Sequence, residues 1–564
     1  KISKIIAPSY LSPLFIESVR ETTLYHASTL PATLSLLLPS EYTNNVGPYP
    51  ALTSRGSSTA AEVQAVQDGD AERYAYYKRL VREAFARNHS LVLIVPTIAD
   101  LTHAHRELSR GISEHVFTLY STLSGKEFEK NARALLSAEQ PTLLIASPIG
   151  LPFLRSDADT VIIDRESAPS YKMITRPFID VRVFARALCV NTKIRLILGD
   201  ILLRTETLHE IDRGSIIPAA VIKYRITTKA QCDIIDMRAG ERAALSKKEK
   251  GRAISKALAS AITETLSRKG RAVLLTARKG LAPTTVCSDC GETILCPHCS
   301  SPFVLHRAHG EFVYACHRCG HSEVPPESCP SCGSWKLTLL GMGIEKSADE
   351  LSLLFPNTTL LRIDSDVTSG KQSVQKTIDE FYATSGSILL CTELALPYLS
   401  DPVELTGVIS VDSLLVIADF RMHHRIMSLL VRLRGLANDR FIIETRDALH
   451  PLFTRAITGA LIEFYRNDSA ERERFHYPPY SVLIKIARTG RRDAVLDDME
   501  ELMKALKEYT PTLYASYESA VRGLVTMNML IPVPPARWPE NELLQLLRSL
   551  PPDFTVDVDP VNIL

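Results

Sequence analysis

Eight of the eleven cysteines lie between Cys287 and Cys332, in four Cys-x-x-Cys pairs. A Cys-x-x-Cys turn places two sulfurs on one side of a tight loop, and two such turns close a tetrahedral metal site with no open position. The pairs are Cys287/Cys290, Cys296/Cys299, Cys316/Cys319 and Cys329/Cys332. They predict two structural four-cysteine sites, with zinc as the default metal.

Other interpretations of the cysteines stay open at this point. A disulfide framework is typical of small secreted domains, whereas this chain has 564 residues and no export signal at its start. One metal with spare thiols is another alternative, and an all-sulfur site also accepts iron. We expect His306, His317 and His321 on the surface, because eight sulfurs already fill two sites.

The composition is that of a large globular chain without a strong charge. The formal net charge is +1, so a nucleic-acid partner must meet a local basic patch rather than a global field. No apolar run approaches the length of a membrane span, which predicts a cytoplasmic protein without a membrane partner. The first residue, Lys1, indicates a fragment or a late-starting product.

Short apolar runs alternate with helical patterns in the first part of the chain, and this alternation predicts a parallel α/β sheet. Before it, a helix is expected to open at Ser12 and Pro13 and to run toward Leu38, with a break at Pro31. Strands are expected at 91–97, 142–147, 160–164 and 194–199, with helices at 71–88, 98–109 and 127–137.

The same alternation resumes after residue 215 and predicts a second α/β lobe that carries the cysteine segment. A helix is expected at 247–268, with strands at 271–276, 337–340, 358–364, 387–391, 405–412 and 440–445. After residue 481, strand-like runs, a helix at 492–507 and a last strand at 554–560 predict a small α+β domain.

Two α/β lobes with an eight-cysteine insert in the second resemble the bacterial replication-restart helicase PriA family, also called primosomal protein N′. The resemblance covers residues 10–564 and is most specific in nine segments. These are 287–299, 316–320, 329–334, 341–345, 355–356, 362–364, 471–474, 477–480 and 557–560.

The resemblance implies two RecA-like parallel-sheet lobes of superfamily 2, a two-zinc insert in the second lobe and a small α+β C-terminal domain. The expected boundaries are 1–65 for a helical segment and linker, 66–215 for lobe 1, 216–480 for lobe 2 with the insert at 284–338, and 481–564 for the last domain. The family's 3′-DNA-binding and winged-helix domains match nothing before residue 70, so they are absent or truncated here.

The resemblance also implies a nested pairing of the metal ligands. Cys287, Cys290, Cys329 and Cys332 would hold one zinc, and Cys296, Cys299, Cys316 and Cys319 would hold the other.

Three nucleotide motifs of the family are altered. A phosphate-binding loop, Gly-x-x-x-x-Gly-Lys-Ser/Thr, is missing, and its expected place holds only 53–58 or the helix around Tyr77. The family's Asp-Glu-Glu-His appears as Asp164-Arg-Glu-Ser167, which leaves Asp164 and Glu166 as vestigial catalytic residues. Arg165 replaces the residue that would position the attacking water. Glu166 is a possible substitute, but it is expected to point to the other face from Arg165 if the strand continues.

The third altered motif is the arginine motif, which aligns with residues 432–439. Leu436 and Asp439 replace both of its arginines, and Arg432 and Arg434 are displaced alternatives. Loss of such an arginine costs about 10³-fold or more in turnover. ATP and Mg²⁺ are therefore doubtful cofactors.

Candidate DNA contacts are Arg268, Lys269, Arg278 and Lys279, which lead toward the cysteines. Tyr314 and Trp335 either stack on unpaired bases or a partner, or pack the core of the insert.

The leading hypothesis is a PriA-like primosomal protein that binds forked, branched or single-stranded DNA in replication restart, with lost or impaired ATPase activity. By resemblance, its partners would be the primosome and single-strand-binding proteins, and it would act as a monomer. The alternatives are an active ATP-dependent 3′ to 5′ DNA helicase with divergent motifs, and an iron-containing electron-transfer protein.

Overall fold

The computed structural model describes residues 11–563, with gaps at 39–61, 239–251, 277–283, 341–343, 365–370, 416, 418 and 517–523. The cysteine-rich insert has further gaps at 288, 291, 299–302, 309–310 and 316–320. The described strands form four sheets, of which the two larger are parallel and the two smaller are antiparallel.

Two helices precede the first sheet, α1 (Pro13–Tyr25) and α2 (Leu30–Leu37). Ser12 caps α1 as predicted, since its side chain accepts from the Phe15 amide. The prediction of a break at Pro31 was wrong, because α1 ends at Tyr25 and Pro31 lies in the first turn of α2. Proline fits that position because a first-turn amide has no partner within the helix.

The first lobe is built on a seven-stranded parallel sheet of order β3-β4-β2-β5-β6-β1-β7. Its strands are β1 (Val63–Gln67), β2 (Ser90–Ile94), β3 (Val116–Leu119), β4 (Leu143–Ala146), β5 (Ala158–Asp164), β6 (Arg195–Asp200) and β7 (Ile217–Pro218). Its helices are α3 (Asp70–Ala86), α4 (Ile98–Leu108), α5 (Gly125–Ser137), α6 (Val181–Thr192) and α7 (Thr205–Asp212). Short 3₁₀ segments in this lobe lie at Ser113–His115, Pro148–Phe153 and Pro169–Tyr171.

The strands of this sheet are buried on both faces, as a doubly covered parallel sheet requires. In β2, Val92 and Ile94 pack in one apolar cluster and Leu91 and Leu93 pack in another. Helices therefore cover both sides, and the carboxyl ends of β1, β6 and β5 lie side by side at one edge. Strand β1 begins at Val63, before the boundary expected at residue 66.

The second lobe has a six-stranded parallel sheet of order β15-β16-β9-β17-β18-β8. Its strands are β8 (Gln231–Asp236), β9 (Ala272–Thr276), β15 (Leu360–Ile363), β16 (Ile388–Cys391), β17 (Val403–Ser410) and β18 (Ala437–Thr445). Its helices are α8 (Lys256–Ser267), α9 (Ile344–Leu354), α10 (Lys371–Ala383), α11 (Asp412–Leu415), α12 (Met422–Leu436), α13 (Pro451–Thr458) and α14 (Leu461–Arg474). A 3₁₀ segment lies at Glu393–Tyr398.

Helix α8 begins later than predicted. Ser255 caps it by accepting from the Leu258 amide, and residues 252–255 are not helical. The predicted start at Lys247 lies outside the described residues.

The connection between the lobes contributes an edge strand to each sheet. Strand β7 pairs with β1 in the first lobe, and β8 pairs with β18 in the second. Neither strand was predicted, because β7 is only two residues long and exposed, and the aspartates of β8 interrupt its apolar residues. The connection therefore ties the two lobes together through backbone hydrogen bonds.

The cysteine-rich insert forms an antiparallel sheet of order β13-β12-β11-β10-β14. Its strands are β10 (Thr284–Cys287), β11 (Val304–Ala308), β12 (Glu311–Ala315), β13 (Ser322–Glu323) and β14 (Leu337–Leu340). The prediction that 337–340 joins the large sheet was wrong, because β14 pairs with β10 and closes the insert.

The last domain is an antiparallel sheet of order β20-β21-β19-β22 covered by helices. Its elements are β19 (Val482–Gly490), α15 (Arg492–Ala505), a 3₁₀ segment (Lys507–Tyr509), β20 (Thr512–Ala515), β21 (Val525–Val533), α16 (Asn541–Ser549) and β22 (Phe554–Val558). It contacts lobe 1 through Lys172, whose Nζ lies 2.9 Å from Asp557 Oδ1, and it contacts α1 through Trp538, whose Nε1 donates to Tyr25 O at 3.0 Å. Among the described helices we find none with the length and apolarity needed to cross a bilayer.

Candidate metal centre and nucleotide cleft

Four cysteines meet at the base of the insert. The sulfurs of Cys287, Cys290, Cys329 and Cys332 all lie within 4.8 Å of one another. Cys287 ends β10, and Cys329 and Cys332 lie in the loop before β14. Two sulfur pairs approach each other: Cys287 Sγ lies 3.5 Å from Cys332 Sγ, and Cys290 Sγ lies 3.6 Å from Cys329 Sγ. These are the four residues that the nested pairing assigned to the first zinc.

The donor set fits a structural metal ion. Four thiolates close a tetrahedral site and leave no position for substrate. Gly333 follows the last cysteine with a φ of +71°, a conformation that glycine adopts without strain. When bound, a metal here would cross-link the two ends of the insert, and it would take no part in chemistry.

The second predicted site is described only in part. Cys296 is buried and packs with Ile294, Phe303 and Tyr314 in the small core of the insert. Cys299, Cys316 and Cys319 lie outside the described residues. The second zinc therefore stays a prediction.

The carboxyl ends of β1, β6 and β5 in lobe 1 are the usual place for a ligand in an α/β sheet, and we call this region the nucleotide cleft because the family resemblance would place a nucleotide here. Between β1 and α3 there are only two residues, Asp68 and Gly69. This turn, rather than residues 53–58, stands where a phosphate-binding loop would lie, and 53–58 are outside the described residues. A two-residue turn has too few backbone amides to surround a phosphate group.

Asp164, at the end of β5, is fully buried and surrounded by side chains of α3. Arg73 Nε donates to its Oδ1 at 2.6 Å, and the Tyr77 hydroxyl donates to the same atom at 2.9 Å. The Tyr74 hydroxyl lies 3.3 Å from Oδ2. Burial raises the pKa values of Tyr74 and Tyr77 well above their usual range, so both hydroxyls stay protonated. The carboxylate of Asp164, a vestigial catalytic residue by the family resemblance, is thus hydrogen-bonded within the protein.

Arg165 follows Asp164 with a φ of +51° and turns toward lobe 1 acids. Its Nη1 lies 2.5 Å from Asp100 Oδ1, and its Nη2 lies 3.4 Å from Asp70 Oδ2. Although burial acts in the opposite direction, the guanidiniums of Arg73 and Arg165 hold the pKa of Asp70 well below its usual range. Arg165 is therefore a structural partner of these carboxylates.

Glu166 has different partners from Asp164. Strand β5 ends at Asp164, so the strand alternation expected for Arg165 and Glu166 does not apply to them. One oxygen accepts from the Arg204 amide at 2.6 Å and from the Thr207 hydroxyl at 3.0 Å, at the start of α7. Burial raises the pKa of Glu166 to about 7. Glu166 therefore accepts hydrogen bonds at the start of α7 and does not share the surroundings of Asp164.

The two arginines of the altered arginine motif, Arg432 and Arg434, have partners in different parts of the structure. Arg432 Nη2 faces lobe 1 and lies 3.7 Å from Asp200 Oδ1, at the end of β6. Arg434 Nη1 instead donates to Ile226 O in the connection at 2.8 Å. Asp439 lies on β18, where its Oδ2 is 3.9 Å from Arg268 Nη1.

Of the four candidate DNA contacts, the structure describes two, Arg268 and Lys269. Arg268 and Lys269 precede β9, whereas Arg278 and Lys279 follow it, outside the described residues. Arg268 also lies 2.6 Å from Glu264, which neutralises part of its charge. The DNA-binding role of these residues stays a prediction.

Sequence reasoning missed Arg73, which has the most buried partners in the cleft. A helical pattern rich in charge predicts an exposed helix face, and nothing in it marks one arginine as buried. The available signal was weak: Val-Gln-Ala-Val-Gln at 63–67, which is not a continuous apolar run, followed by Asp68 and Gly69, which are typical of a turn.

No protein-family model matches the chain. It is 27% identical to replication restart protein PriA of Treponema pallidum over 516 residues, which are 86% of this chain and 75% of that protein. It is 26% identical to PriA of Synechocystis over 448 residues, and 27% identical to PriA of Bacillus subtilis over 420 residues. The chain is similar to PriA replication restart proteins over most of its length. It spans about half the length of the last two relatives, 53% and 50% respectively.

Solved structures with a similar arrangement include RecG bound to a three-way DNA junction, at 10% identity and a TM-score of 0.41 over 73% of this chain and 44% of that chain. Another is the DUF1998 helicase MrfA bound to DNA, at 10% identity and a TM-score of 0.42 over 90% of this chain and 58% of that chain.

Proposed function

We propose that this PriA-related chain binds forked or branched DNA in replication restart and primosome assembly, and that it does so without hydrolysing ATP. The similarity to replication restart proteins supports the first part. The Arg73–Asp164 pair carries the second part, because it places a protein cation on the carboxylate that would otherwise hold Mg²⁺.

Hydrolysis of ATP needs three elements that act together. Backbone amides and a lysine bind the phosphates, a carboxylate binds Mg²⁺, and an arginine stabilises the charge of the transition state. Here the turn at Asp68 and Gly69 stands in place of the phosphate-binding loop. Arg73 binds the carboxylate of Asp164 that would hold Mg²⁺. Leu436 and Asp439 replace the two arginines of the arginine motif.

The remaining parts of the proposal concern partners and location. Forked or single-stranded DNA is the proposed ligand, and the primosome and single-strand-binding proteins are the proposed partners, with the chain acting as a cytoplasmic monomer. Two structural zinc ions stabilise the insert in this proposal, and neither ATP nor Mg²⁺ is a cofactor.

The test is DNA-stimulated ATP hydrolysis on a fork, with binding to the same labelled fork followed by fluorescence anisotropy. We expect salt-dependent binding, since phosphate contacts release counterions, and no turnover above the background. A relative that keeps the phosphate-binding loop serves as the positive control.

Turnover of about 1 per second or faster, within the usual range of enzymes, would instead support the active 3′ to 5′ helicase. Failure to bind any fork, single strand or branched DNA would contradict the DNA-binding part of the proposal.

A further inference from the structure

Arg73 is completely buried within lobe 1, and its side chain has no exposed surface. A buried guanidinium destabilises a fold unless its charge and its donors are matched. Besides Asp164, Arg73 binds Asp68 O through Nη1 at 3.1 Å and Asp70 Oδ1 through Nη2 at 2.8 Å. All three nitrogens of the guanidinium therefore have an oxygen partner.

The sheet is shaped to receive this side chain. Gly199 lies on β6 directly under α3, and a Cβ at this position would lie 1.9 Å from the Tyr77 hydroxyl and 3.2 Å from Arg73 Cδ. Any larger residue would push both side chains away from Asp164. The first turns of α3 therefore pack against the carboxyl end of the sheet, beside Asp164. The short turn before α3, Gly199 and the two tyrosines make this packing possible.

A divalent cation does not fit at Asp164 in this arrangement. Oδ1 already accepts from Arg73 and Tyr77, and Oδ2 faces Tyr74. A second cation beside the guanidinium would also meet repulsion in a region of low dielectric constant. The residues thus disagree with the Mg²⁺–nucleotide site that the family resemblance implies.

We propose that the Arg73 guanidinium is a tethered cation that takes the place of the metal at Asp164. It holds this end of the lobe 1 sheet in one arrangement with or without nucleotide. Arg165 extends this arrangement within lobe 1 by joining Asp70 to Asp100, and Arg432 of lobe 2 lies beside Asp200 at the same end of the sheet. This inference concerns the internal structure of lobe 1, and it holds whether or not the chain binds DNA.

The first test compares melting temperatures of the wild-type chain with and without Mg²⁺ and Mg²⁺·ADP. A ligand that binds only the folded state raises the melting temperature in proportion to the logarithm of its concentration. We expect no shift with either addition. A rise of several degrees with Mg²⁺·ADP would overturn the proposal.

The second test compares Arg73→Met with Arg79→Met, which makes the same change on the exposed side of α3. Arg73→Met leaves Asp164 charged and buried, so its melting temperature should fall by roughly 10 °C. Arg79→Met should change it little, because exposed ion pairs contribute little. Equal effects of the two substitutions would overturn the proposal.

A double variant keeps the test decisive if Arg73→Met fails to fold. Arg73→Met with Asp164→Leu removes both charges and should recover at least half of the lost melting temperature, because no isolated charge is left in the core. A double variant no more stable than Arg73→Met would contradict the pairing. Fork binding is measured separately, so its loss or retention bears on the proposed function alone.

Discussion

The Tyr465 hydroxyl on α14 lies 2.7 Å from Gln67 Oε1 at the end of β1, so one hydrogen bond joins lobe 2 to lobe 1. Gln67 Oε1 also accepts from the Leu203 amide at 2.9 Å, and its Nε2 donates to Lys223 O in the connection at 2.8 Å. One buried amide therefore binds both lobes and the segment between them. The lobes contact each other directly at the place where a nucleotide would otherwise join them.

Tyr465→Phe should weaken this junction without creating a cavity. We expect the free energy of unfolding to fall by about 1 kcal/mol, because one of the two hydrogen bonds that Gln67 Oε1 accepts is lost. Chemical denaturation measures the change. Tyr120→Phe, in a half-buried position of lobe 1, is the control and should lie within about 0.5 kcal/mol of the wild type. The interpretation of Tyr465 as a junction would be wrong if the two variants unfold alike.

Glu444, at the end of β18, makes a prediction about pH. Its Oε1 accepts from the Ser255 amide at 2.8 Å, while Oε2 is buried without a hydrogen-bond partner. Burial raises the pKa of Glu444 to about 7, from an ordinary value of 4.5. Because the folded state holds the proton more tightly, this stabilisation is complete below about pH 4.5 and is lost as the pH rises through about 7.

Glu444→Gln should remove this pH dependence, since an amide is neutral throughout and its oxygen can still accept from Ser255. At about pH 8 we expect the variant to be more stable than the wild type by up to about 3 kcal/mol. Denaturation curves across the pH range measure the effect, with the exposed substitution Glu114→Gln as the control. A variant that keeps the wild-type slope between about pH 5 and 8 would contradict the assignment to Glu444.

The sequence predicts the elements that repeat a simple pattern and misses those that depend on tertiary contacts. The apolar runs that became β2 and β5 are buried on both faces, so a short run rich in β-branched residues identifies them. Strand β8 is an edge strand with one hydrogen-bonded neighbour, and its sequence, Gln-Cys-Asp-Ile-Ile-Asp, has no comparable run. The pairing of 337–340 was wrong because a short apolar strand fits a small antiparallel sheet as well as a large parallel one.

The candidate sites divide in the same way. Cys-x-x-Cys spacing is a local signal, and the four described cysteines of the first site do converge. The partners of Asp164 come from α3, which follows β1 after a turn of two residues. Gly199 on β6 leaves the space that Tyr77 and Arg73 occupy. No pattern within α3 distinguishes the buried Arg73 from the exposed Arg79, because both belong to a charged helix.

Cys329→Ser should remove one metal ion per chain. A serine hydroxyl does not supply the thiolate ligand that a structural site needs, so only the three sulfurs of Cys287, Cys290 and Cys332 remain. Metal analysis of the purified protein measures the loss, and protease sensitivity within the insert should increase. Cys232→Ser, on β8 and away from the insert, is the control and should leave the metal content unchanged. Equal metal content in the wild type and Cys329→Ser would contradict the site.

Trp335 and Tyr314 have different surroundings within the insert, and this difference gives a prediction about DNA. Tyr314 is 2% exposed and stacks on Phe303 with ring centroids 5.4 Å apart, so it belongs to the core of the insert. Trp335 is 69% exposed and sits just after the cysteine cluster. Of the two aromatic residues, Trp335 is therefore the one that can stack on an unpaired base.

Trp335→Ala should weaken fork binding about 5-fold or more, because stacking of one base on an aromatic ring contributes about 1 kcal/mol or more. Its metal content and melting temperature should equal those of the wild type. Tyr314→Ala should instead destabilise the insert, since it removes a buried ring from a small core. Anisotropy with a labelled fork measures the affinity of both variants and of the wild type. Wild-type affinity in Trp335→Ala would exclude this tryptophan from the DNA contact and would leave the exposed ring as a surface for a protein partner.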